Sequence, residues 1–498
     1  MTALLAIDLG TEGARVAVFD ADGRVLGTGE HGYPTRYPRP GWAEQDPDEW
    51  WRAIVVAART ALTTAGDPEV TGVGLATTAS TVVVLDEAGR PLRPAILWMD
   101  SRAGAESDLT AESGHEVLRY AGGADAVEWL VPKAMWLARN EPETYRSAAR
   151  IVEAVDYLTW RLTGTWTGSR MNACCKANHV ARGEGYPAGL YDLLGVPDLA
   201  KKLPPVVLPV GAPAGEVTRG ASAELGLRGR PVVAVGGIDA HMSLLATGGL
   251  SPGRLSMVCG TSNAFVAEIE EPVFTPAIWG PYPDALRDGF WLVEGGQVSA
   301  GAVLRWVCED ILGGTRERLP ELLAEAERVR PGEHGLVVLD YFMGNRTPLR
   351  DPRLRGAVLG LTLGTTPAQL YRAAVEGVAY GTRQVLDSFL DAGVPVEDIY
   401  VSGGIRRNPL WLRVTADVLG RPLRLVAGDN LTLRACAVIA AAVTDEHPDL
   451  AAAAAAFTPV TTLVEPSPAD AYDEGYALYR QATEATRDLA HALSGGRR

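Results

Sequence analysis

The amino-acid sequence predicts an α/β protein built from two related domains. Its 498 residues exceed what a single hydrophobic core usually organises. Strand patterns alternate with helical patterns, and one motif occurs twice: AIDLGTEGARVAVF near the start and SMVCGTSNAFVAEI after residue 250 each predict a strand, a Gly-Thr turn and a second strand. This weak repeat predicts domains of residues 1–248 and 249–498, joined at GGLSPGR.

Short strands and tight turns are predicted first. LLAID, ARVAVFD and RVLGTG are apolar strand patterns, and LGTEG and DADG supply the Gly and Asp that turns favour, which together predict a β-meander. The following stretch, DPDEWWRAIVVAARTALTTAG, has helical spacing with Asp46 as its N-cap. VTGVGLATTASTVVVLDEAGRPL then returns to strands, with a further turn at DEAG.

The second half repeats this order. GRLSMVCGTSNAFVAEI predicts two strands around a Gly-Thr-Ser turn, and TPAQLYRAAVEGVAYGTRQVLDSFLDAG predicts a long helix. The tail after about residue 450 is alanine-rich and is predicted to be helical, because alanine has the highest helix propensity.

Composition and charge narrow the function classes. The formal net charge of −15 gives no electrostatic attraction to nucleic acid or to an anionic membrane, and the short apolar runs predict no membrane span. Five cysteines without a CxxC pair predict neither a zinc site nor a disulfide framework. The opening MTALLAIDLGTEG has no basic leader, so we expect a cytoplasmic protein without a signal peptide. The sequence does not fix the oligomeric state, and a homodimer is compatible with it.

The two Gly-Thr turns are candidate phosphate sites. In DLGTEGAR, the backbone N–H groups around Gly10 and the hydroxyl of Thr11 are groups that bind phosphate, and Asp8 offers a carboxylate to Mg²⁺, directly or through water. The alternative is an ordinary hairpin turn with a solvated aspartate. The second copy, at Gly260 and Thr261, favours the functional interpretation, because one such turn in each domain, facing a shared cleft, would clamp a nucleotide.

A third glycine element occurs in YVSGGIRRNPLW. The strand ends in Gly403 and Gly404, which let the backbone approach a ligand closely, and Asn408 carries an amide that can hydrogen-bond a purine edge. An ordinary strand-to-helix turn explains the same residues. No GxxxxGK[ST] motif occurs, so the sequence excludes a Walker loop.

An aspartate and a histidine follow a buried strand in PVVAVGGIDAH. Ligands of open α/β sheets lie at the carboxyl ends of strands, so Asp239 is placed to accept a proton from a hydroxyl that attacks a phosphoryl group. The alternative is that Asp239 is the N-cap of the helix AHMSLLATGG. His241 is expected to be a packed or surface residue rather than a catalyst.

Two further charged residues lie where a core is expected. NACCKANH places Lys176 among small residues, and FWLVEGGQVSAG places Glu294 at the predicted end of an apolar strand. Both side chains can make several hydrogen bonds to a polyol. A surface lysine and a capping or solvated glutamate are the alternatives.

The ordered series of motifs resembles the FGGY carbohydrate kinases, within the actin-like ATPase superfamily. The series spans nearly the whole chain as DLGTEGAR, GWAEQDPDEWW, ILWMDSRA, PKAMWLARNEP, DYLTWRLTG, GGIDAH, GTSNA and VSGGIRRNP. The resemblance implies two ribonuclease-H-like domains flanking a central cleft, in which a small sugar or polyol is phosphorylated with ATP and Mg²⁺.

The resemblance also implies roles for single residues. Asp239 matches the catalytic base, and Asp8, the candidate metal ligand, matches part of the first phosphate element. The residues implied on the nucleotide side are Gly10, Thr11, Arg15, Gly260, Thr261, Arg305, Gly403, Gly404 and Asn408. The residues implied on the sugar side are Thr78, Ala79, Lys176, Asp239 and Glu294.

Within the family, the motifs are most similar to those of ribulokinases, notably WMDSRA, NACCKANH, WLVEGGQVSAG and YFMGNRTPLRDPRLRG. The expected reaction is therefore phosphorylation of a terminal hydroxyl of a ketopentose such as ribulose. Xylulose, ribitol, erythritol and glycerol stay open as acceptors. Outside that class, a catalytically weak sugar-binding relative and a chaperone-type ATPase are the alternatives, and the second would need no sugar pocket.

Two departures from the family pattern bear on the site. TTAST (residues 77–81) stands where ribulokinases tend to have DATCS, which leaves the identity of the sugar open. Arg434, in DNLTLRACA, stands where the family often has glycine near the nucleotide. Three orientations of its guanidinium stay open: toward a phosphate, across the site, or into solvent.

Overall fold

Two seven-stranded sheets, one from each half of the chain, organise the part of the protein that the structure describes. This structure is a computed structural model, and it describes residues 3–247, 250–313, 319–428, 430–444, 446–467 and 469–495. Gly248 and Gly249, which belong to the predicted link GGLSPGR, lie outside the described residues. The architecture is mixed α/β, as the sequence predicts.

The first half contains short strands and helices in alternation. Its strands are β1 (Ala3–Leu9), β2 (Gly13–Asp20), β3 (Val25–Gly32), β4 (Glu44–Gln45), β5 (Val70–Thr77), β6 (Val82–Leu85), β7 (Ala95–Ile96), β8 (Arg150–Glu153), β9 (Thr167–Ser169), β10 (Val206–Leu208), β11 (Pro213–Glu216), β12 (Val232–Ala234) and β13 (Gly237–Ile238). Its helices are α1 (Pro47–Thr64), α2 (Gly104–Ser113), α3 (Leu130–Asn140), α4 (Pro142–Ser147), α5 (Ala154–Thr163), α6 (Arg170–Lys176), α7 (Ala188–Leu193), α8 (Leu199–Lys202), α9 (Arg219–Leu225) and α10 (Asp239–Ala246).

The first sheet has the strand order β11-β12-β5-β1-β2-β3, with β13 also paired to β5. Strands β1, β12 and β13 run parallel to β5, whereas β1, β2 and β3 form the predicted antiparallel meander. The N-cap prediction for α1 is confirmed, because Asp46 Oδ1 accepts a hydrogen bond of 3.0 Å from the backbone N–H of Asp48. A smaller sheet of β4, β7, β6 and β8 packs with α3 around its own apolar cluster.

The second half follows the same plan. Its strands are β14 (Arg254–Cys259), β15 (Asn263–Ile269), β16 (Trp279–Pro283), β17 (Trp291–Gln297), β18 (Val337–Leu339), β19 (Ala357–Leu359), β20 (Asp398–Gly403), β21 (Leu423–Val426) and β22 (Thr461–Val464). Its helices are α11 (Gly301–Trp306), α12 (Leu319–Arg328), α13 (Pro367–Asp391), α14 (Pro409–Leu419), α15 (Leu431–Ala442), α16 (Leu450–Ala456) and α17 (Asp473–Gly495).

The second sheet has the strand order β16-β17-β15-β14-β20-β21-β22. Its pair β14–β15 is antiparallel and β14 runs parallel to β20, just as β1 pairs antiparallel with β2 and parallel with β5. The sequence repeat therefore corresponds to the same strand-turn-strand unit in both sheets. The long helix α13 is confirmed. The tail is helical in α16 and α17, but the prediction missed β22, which lies between them and pairs with β21 at the edge of the second sheet.

One strand end was predicted wrongly. Glu294 lies in the middle of β17, which continues to Gln297. Gly295 and Gly296 do not end the strand, because both keep their pairing with β15. At Gly295 a Cβ atom would lie 2.6 Å from the ring of Phe389, so this glycine allows a close approach of the ring.

Helix α15 of the second half packs on the first sheet. Two glycines of β5 make room for it: a Cβ atom at Gly72 would lie 2.4 Å from the backbone oxygen of Ala440, and one at Gly74 only 1.9 Å from that of Cys436. Helix α10 of the first half in turn contacts β14 and β15. The two halves thus share an apolar core, although their central strands come before residue 248 in one half and after residue 249 in the other. The domain boundary itself stays a prediction.

The five cysteines are buried free thiols. Within the described ranges, the longest helices are too polar or too short to cross a bilayer.

Candidate active site

The carboxyl ends of three parallel strands bring candidate residues of the first half together. In the pairing of β1 and β13 with β5, Asp8 and Gly237 both lie opposite Ala76, and Leu9 and Ile238 both lie opposite Thr77. The chain continues from these strand ends into Gly10–Thr11, Thr78–Ala79 and Asp239. The candidate phosphate turn, part of the candidate sugar segment and the candidate base therefore lie along one edge of the first sheet.

Asp8 is a buried carboxylate at this edge. Its Oδ2 atom accepts a hydrogen bond of 3.5 Å from Arg15 Nη1 on the neighbouring strand and one of 3.3 Å from Asn430 Nδ2 in the second half. Burial raises the pKa of Asp8, and the charge of Arg15 and the hydrogen bond from Asn430 act against that rise. Both contacts use the same carboxylate oxygen.

Asp239 is the first residue of α10. Ile238, rather than Asp239, occupies the N-cap position, and Asp239 Oδ1 accepts a hydrogen bond of 2.7 Å from the adjacent N–H of Ala240. The helix-cap alternative is therefore incorrect in its usual form. Burial, and next the negative charge of Asp8, raise the pKa of Asp239 to about 7. A carboxylate with this pKa is suited to exchange protons near neutral pH.

Side chains of three neighbouring residues donate hydrogen bonds to the first Gly-Thr turn. Trp98 Nε1 donates a hydrogen bond of 3.0 Å to Thr11 Oγ1, and Gln45 Nε2 donates one of 2.7 Å to the Thr11 backbone oxygen. The Tyr33 hydroxyl donates to the backbone oxygen of Gly10. These contacts fix the conformation of the turn. Arg15 keeps 51% of its side chain exposed, so it is accessible to a bound anion.

The second Gly-Thr turn lies against the start of α11. The backbone N–H of Gly301 donates to Gly260 O at 3.0 Å, and the N–H of Ala300 donates to Thr261 O at 2.9 Å. A Cβ atom at Gly301 would lie 2.5 Å from Gly260 O, which excludes a larger residue there. Thr261 itself is exposed, and Arg305 is exposed further along α11.

The third glycine element lies beside the second turn. Gly403 pairs with Cys259 at the ends of β20 and β14, and a Cβ atom at Gly403 would lie 2.5 Å from Cys259 O. Gly403 also has a φ of 88°, which favours glycine. A Cβ atom at Gly404 would lie 3.8 Å from the Cα atom of Gly260, so both glycine elements of the second half share one surface.

Two polar residues predicted near the nucleotide have protein partners. Asn408 is the N-cap of α14, where its Oδ1 accepts from Trp411 N at 3.1 Å and its Nδ2 donates to the Tyr371 hydroxyl at 3.0 Å. A purine contact for Asn408 stays a prediction. Arg434 Nη1 lies 3.4 Å from Gly23 O and 3.3 Å from Phe457 O. It is half-buried, so none of its three anticipated orientations describes it: it joins backbone carbonyls of the two halves.

The candidate sugar residues from the two halves contact each other. Lys176 on α6 is buried, Glu294 on β17 keeps only 12% of its side chain exposed, and Lys176 Nζ lies 3.0 Å from Glu294 Oε1. The Tyr282 hydroxyl donates a hydrogen bond of 2.9 Å to the same oxygen, and Lys176 Nζ lies 4.7 Å from the centre of the Trp129 ring. The surface-lysine and solvated-glutamate alternatives are therefore wrong.

Glu294 is held in its ionised form. Burial acts to raise its pKa, but Lys176 and His241 together hold the pKa of Glu294 well below its usual range. His241 Nε2 lies 2.7 Å from Glu294 Oε2, although the ring does not point along a hydrogen bond. His241 is buried, which agrees with the expectation of a packed or surface residue. Its contact with Glu294, a candidate sugar-binding residue, was not predicted.

The segment of Thr78 and Ala79 is anchored by a buried polar network. Ser80 donates its hydroxyl hydrogen bond to Glu153, and Lys133 Nζ donates one of 2.7 Å to Ser80 O. Burial raises the pKa of Glu153 to about 7 and lowers that of Lys133 to about 8. The Thr78 hydroxyl is 3.0 Å from that of Thr81.

A model of the N-terminal domain of the FGGY carbohydrate kinases matches residues 3–246, and a model of their C-terminal domain matches residues 255–444. This protein belongs to the FGGY family of carbohydrate kinases.

Relatives that match nearly the full length of this chain support the family assignment. A ribulokinase of Mycolicibacterium smegmatis is 33% identical and is matched over 96% of this chain and 92% of its own. A protein of Xenopus laevis named for its FGGY carbohydrate kinase domain is 31% identical over 95% of both chains. The solved xylulose kinase of Rhodospirillum rubrum has a TM-score of 0.85 and 26% identity over 98% of this chain and 100% of its own. This FGGY kinase is thus a phosphotransferase that acts on a sugar or related alcohol.

The fold of this FGGY kinase is also that of more distant kinases. The solved gluconate kinase of Lactobacillus acidophilus has a TM-score of 0.87 at only 20% identity, with 97% of this chain and 98% of its own covered. The predicted fold class, the two-domain actin-like ATPase fold, is confirmed by the family match and by the solved xylulose kinase of 26% identity.

Several residues of this FGGY kinase that touch the candidate residues were not predicted. Asn430 reaches Asp8 from 422 positions away, Trp98 contacts Thr11, and Tyr282, Trp129 and His241 surround the Lys176–Glu294 pair. Trp98, His241 and Asn430 belong to the quoted motifs ILWMDSRA, GGIDAH and DNLTLRACA, whereas no signal pointed to Tyr282 or Trp129. The roles of all candidate residues stay predictions.

Proposed function

We propose that this FGGY kinase transfers the γ-phosphoryl group of ATP to a terminal hydroxyl of a ketopentose, with ribulose as the first candidate and Asp239 as the general base. The observation that carries the proposal is the environment of Asp239. Its carboxylate has a pKa of about 7, interacts with Asp8 beside the first phosphate turn, and begins the helix whose third residue, His241, contacts Glu294. Asp239 therefore links the proposed nucleotide side to the proposed sugar side.

The proposed chemistry is a single displacement. Ionised Asp239 accepts the proton of the acceptor hydroxyl while the oxygen of that hydroxyl forms a bond to the γ-phosphorus of ATP. The bond from the γ-phosphorus to the β,γ-bridging oxygen breaks, and ADP is released. The exposed Arg15 and the backbone of the two Gly-Thr turns would bind phosphate oxygens. Lys176 and Glu294 would orient the sugar through hydrogen bonds to its other hydroxyls.

A magnesium ion fits the residues around Asp8. Two carboxylates with raised pKa values, Asp8 and Asp239, face a single half-exposed guanidinium, so a cation there would relieve their repulsion. The described ranges contain no group of three or more His, Cys, Asp or Glu side chains that could hold a metal ion. Magnesium often takes only one or two carboxylates together with phosphate oxygens and water, so Asp8 would be its main protein ligand. When bound, Mg²⁺ neutralises charge on the phosphates.

The proposed acceptor is an uncharged sugar. Lys176 is already neutralised by Glu294 at 3.0 Å, so the carboxylate of a sugar acid would gain little from this lysine. Ribulokinases recur among relatives of about 30% identity, such as that of Geobacillus thermodenitrificans, which matches 88% of this chain at 30% identity. Xylulose is the second candidate, because a xylulose kinase shares the fold at 26% identity.

A panel of acceptors tests the proposal. ADP release by the purified protein would be measured with MgATP and each enantiomer of ribulose and xylulose, and with ribitol, erythritol, glycerol and gluconate. We expect the highest kcat/KM with one enantiomer of ribulose and none with gluconate. Turnover of gluconate above all pentuloses would contradict the proposed acceptor, and binding of a pentulose without ADP release would indicate a non-catalytic relative. A cytoplasmic location and a homodimer stay predictions.

A further inference from the structure

His241 lies where the two halves meet at the proposed sugar site. It is 4% exposed and is the third residue of α10, two positions after Asp239. Side chains two residues apart on a helix point about 200° apart around its axis. The first turn of α10 therefore directs Asp239 to one side and His241 to the other, where the His241 ring contacts Glu294 of the second half.

Glu294 has few hydrogen-bond acceptor positions left for a ligand. A carboxylate offers about four such positions on its two oxygens. Lys176 Nζ and the Tyr282 hydroxyl contact Oε1 at 3.0 and 2.9 Å, and His241 Nε2 stands 2.7 Å from Oε2. A sugar hydroxyl that donates to Glu294 must therefore approach Oε2 from the side that His241 leaves open.

Both ring nitrogens of His241 are buried, and neither makes a hydrogen bond within the described residues, although Nε2 lies 2.7 Å from Glu294 Oε2. A buried polar atom without a partner destabilises a fold, so a histidine retained for stability alone would normally have its nitrogens satisfied. The placement of His241 is better explained by a role toward Glu294 and its ligand than by packing.

We propose that His241 is a positioning residue that fixes the Oε2 atom of Glu294 and thereby selects the configuration of one hydroxyl of the acceptor. The proposal rests on the sugar site proposed above. Ribulose and xylulose of the same series differ only in the configuration at C3, and a carboxylate fixed in one direction accepts a hydrogen bond from one of the two epimers. Without His241, the Glu294 carboxylate can rotate and accept a hydrogen bond from either epimer.

Steady-state kinetics of His241→Leu with both epimers test this role. We expect KM for the sugar to rise about tenfold or more and the preference between epimers to fall by a similar factor, because the hydrogen bond from the sugar hydroxyl to the Glu294 carboxylate is lost or misdirected. KM for ATP should be unchanged. His241→Gln, whose amide still reaches Glu294, should restore part of the preference. His179→Leu is the matched control, since this half-buried histidine packs on Tyr186 instead and should leave all constants unchanged.

Three results would overturn the proposal. They are a wild-type epimer preference in His241→Leu, equal losses in His179→Leu, and a rise in KM for ATP equal to that for the sugar. If the leucine variant does not fold, the comparison of His241→Gln with the shorter His241→Asn decides, and equal preference in both contradicts the proposal. If the wild type phosphorylates no pentulose, the proposed acceptor is wrong, and the same comparison is made with its actual acceptor and an epimer of that acceptor.

Discussion

Asp239 and Asp8 form an acidic pair that a single arginine compensates only in part. Arg15 lowers the pKa of both carboxylates, but half of its side chain is exposed to solvent, which screens its charge. Burial therefore dominates, and both pKa values are raised. Ionisation of Asp239 therefore opposes folding increasingly as the pH rises from 3.8 to about 7. The same raised pKa favours proton exchange near neutrality, which is typical of functional sites.

The pH dependence of activity follows from the pKa of Asp239. The base must be ionised to accept a proton, and its pKa is raised from 3.8 to about 7, so kcat/KM should rise through about pH 7 and fall roughly tenfold per pH unit below it. The measurement is kcat/KM for the sugar across that range at constant ionic strength and saturating MgATP. Asp86→Asn, at an exposed turn outside the site, should show the same profile. A flat profile would contradict Asp239 as the base.

The sequence indicated Asp239 because its signal is local: an apolar strand, two glycines and then a carboxylate. The partners of Glu294 could not be found in this way. Tyr282 lies twelve residues before it and His241 more than fifty, and only the packing of β16, β17 and α10 brings them together. The sequence alone also misplaced Glu294 at a strand end, because glycines inside a strand resemble those that end one.

At the scale of elements, the contact between β5 and α15 depends on residues without side chains. Gly74→Ala should destabilise the protein by ~2 kcal/mol or more, because its Cβ would lie 1.9 Å from the backbone oxygen of Cys436 and the helix would have to shift. The measurement is the urea midpoint of unfolding. Gly104→Ala, where the added Cβ meets nothing within 4 Å, should leave the midpoint unchanged or raise it slightly. Equal midpoints for the two variants would contradict the close packing.

The second Gly-Thr turn is expected to serve the nucleotide. Thr261→Val should mainly raise KM for ATP, since the exposed hydroxyl beside Gly260 would contact phosphate and the turn lies with Gly403 and Gly404 on one surface. KM for the sugar, measured in the same assays, is the internal control. A rise in the sugar KM alone would place this turn in the wrong pocket.

At the scale of the whole molecule, side chains of the two halves contact each other directly. Lys176 already contacts Glu294, Arg434 bonds to carbonyls of both halves, and Arg350 donates 2.9 Å and 2.8 Å hydrogen bonds to Gly122 O and Ile278 O. These contacts tie the sugar-side residues of the two halves together, so we expect any closure to narrow the side that carries the two Gly-Thr turns.

Closure is expected because the two phosphate turns belong to different sheets, so neither can hold ATP alone. The true sugar together with a non-hydrolysable ATP analogue should reduce the radius of gyration in small-angle scattering, and a sugar that is not phosphorylated should do so less. ATP hydrolysis without sugar should be slow, because closure excludes water. An unchanged scattering profile with a sugar that is turned over would contradict closure. We expect the link GGLSPGR to act as the hinge, and its residue Gly253 has a φ of 84°, which only glycine adopts readily.

The two-sheet architecture could be predicted because strand periodicity, turn residues and the Gly-Thr repeat are all local in sequence. The links between the sheets could not. The hydrogen bond from Asn430 to Asp8 joins residues 422 positions apart, and the fit of α15 on Gly72 and Gly74 involves glycines that no turn or cap explains. These contacts depend on tertiary packing, which single-sequence patterns do not encode.

The central claim is that phosphoryl transfer depends on the carboxylate of Asp239 between the two sides of the cleft. The most direct test is the turnover of Asp239→Asn with the preferred sugar and MgATP, combined with calorimetric measurement of sugar binding. We predict that kcat falls by ~10²–10⁴-fold, because the amide keeps the shape but cannot accept the proton, while sugar affinity stays measurable. A kcat near that of the wild type, with sugar bound normally, would reduce Asp239 to the first residue of a helix and contradict the account.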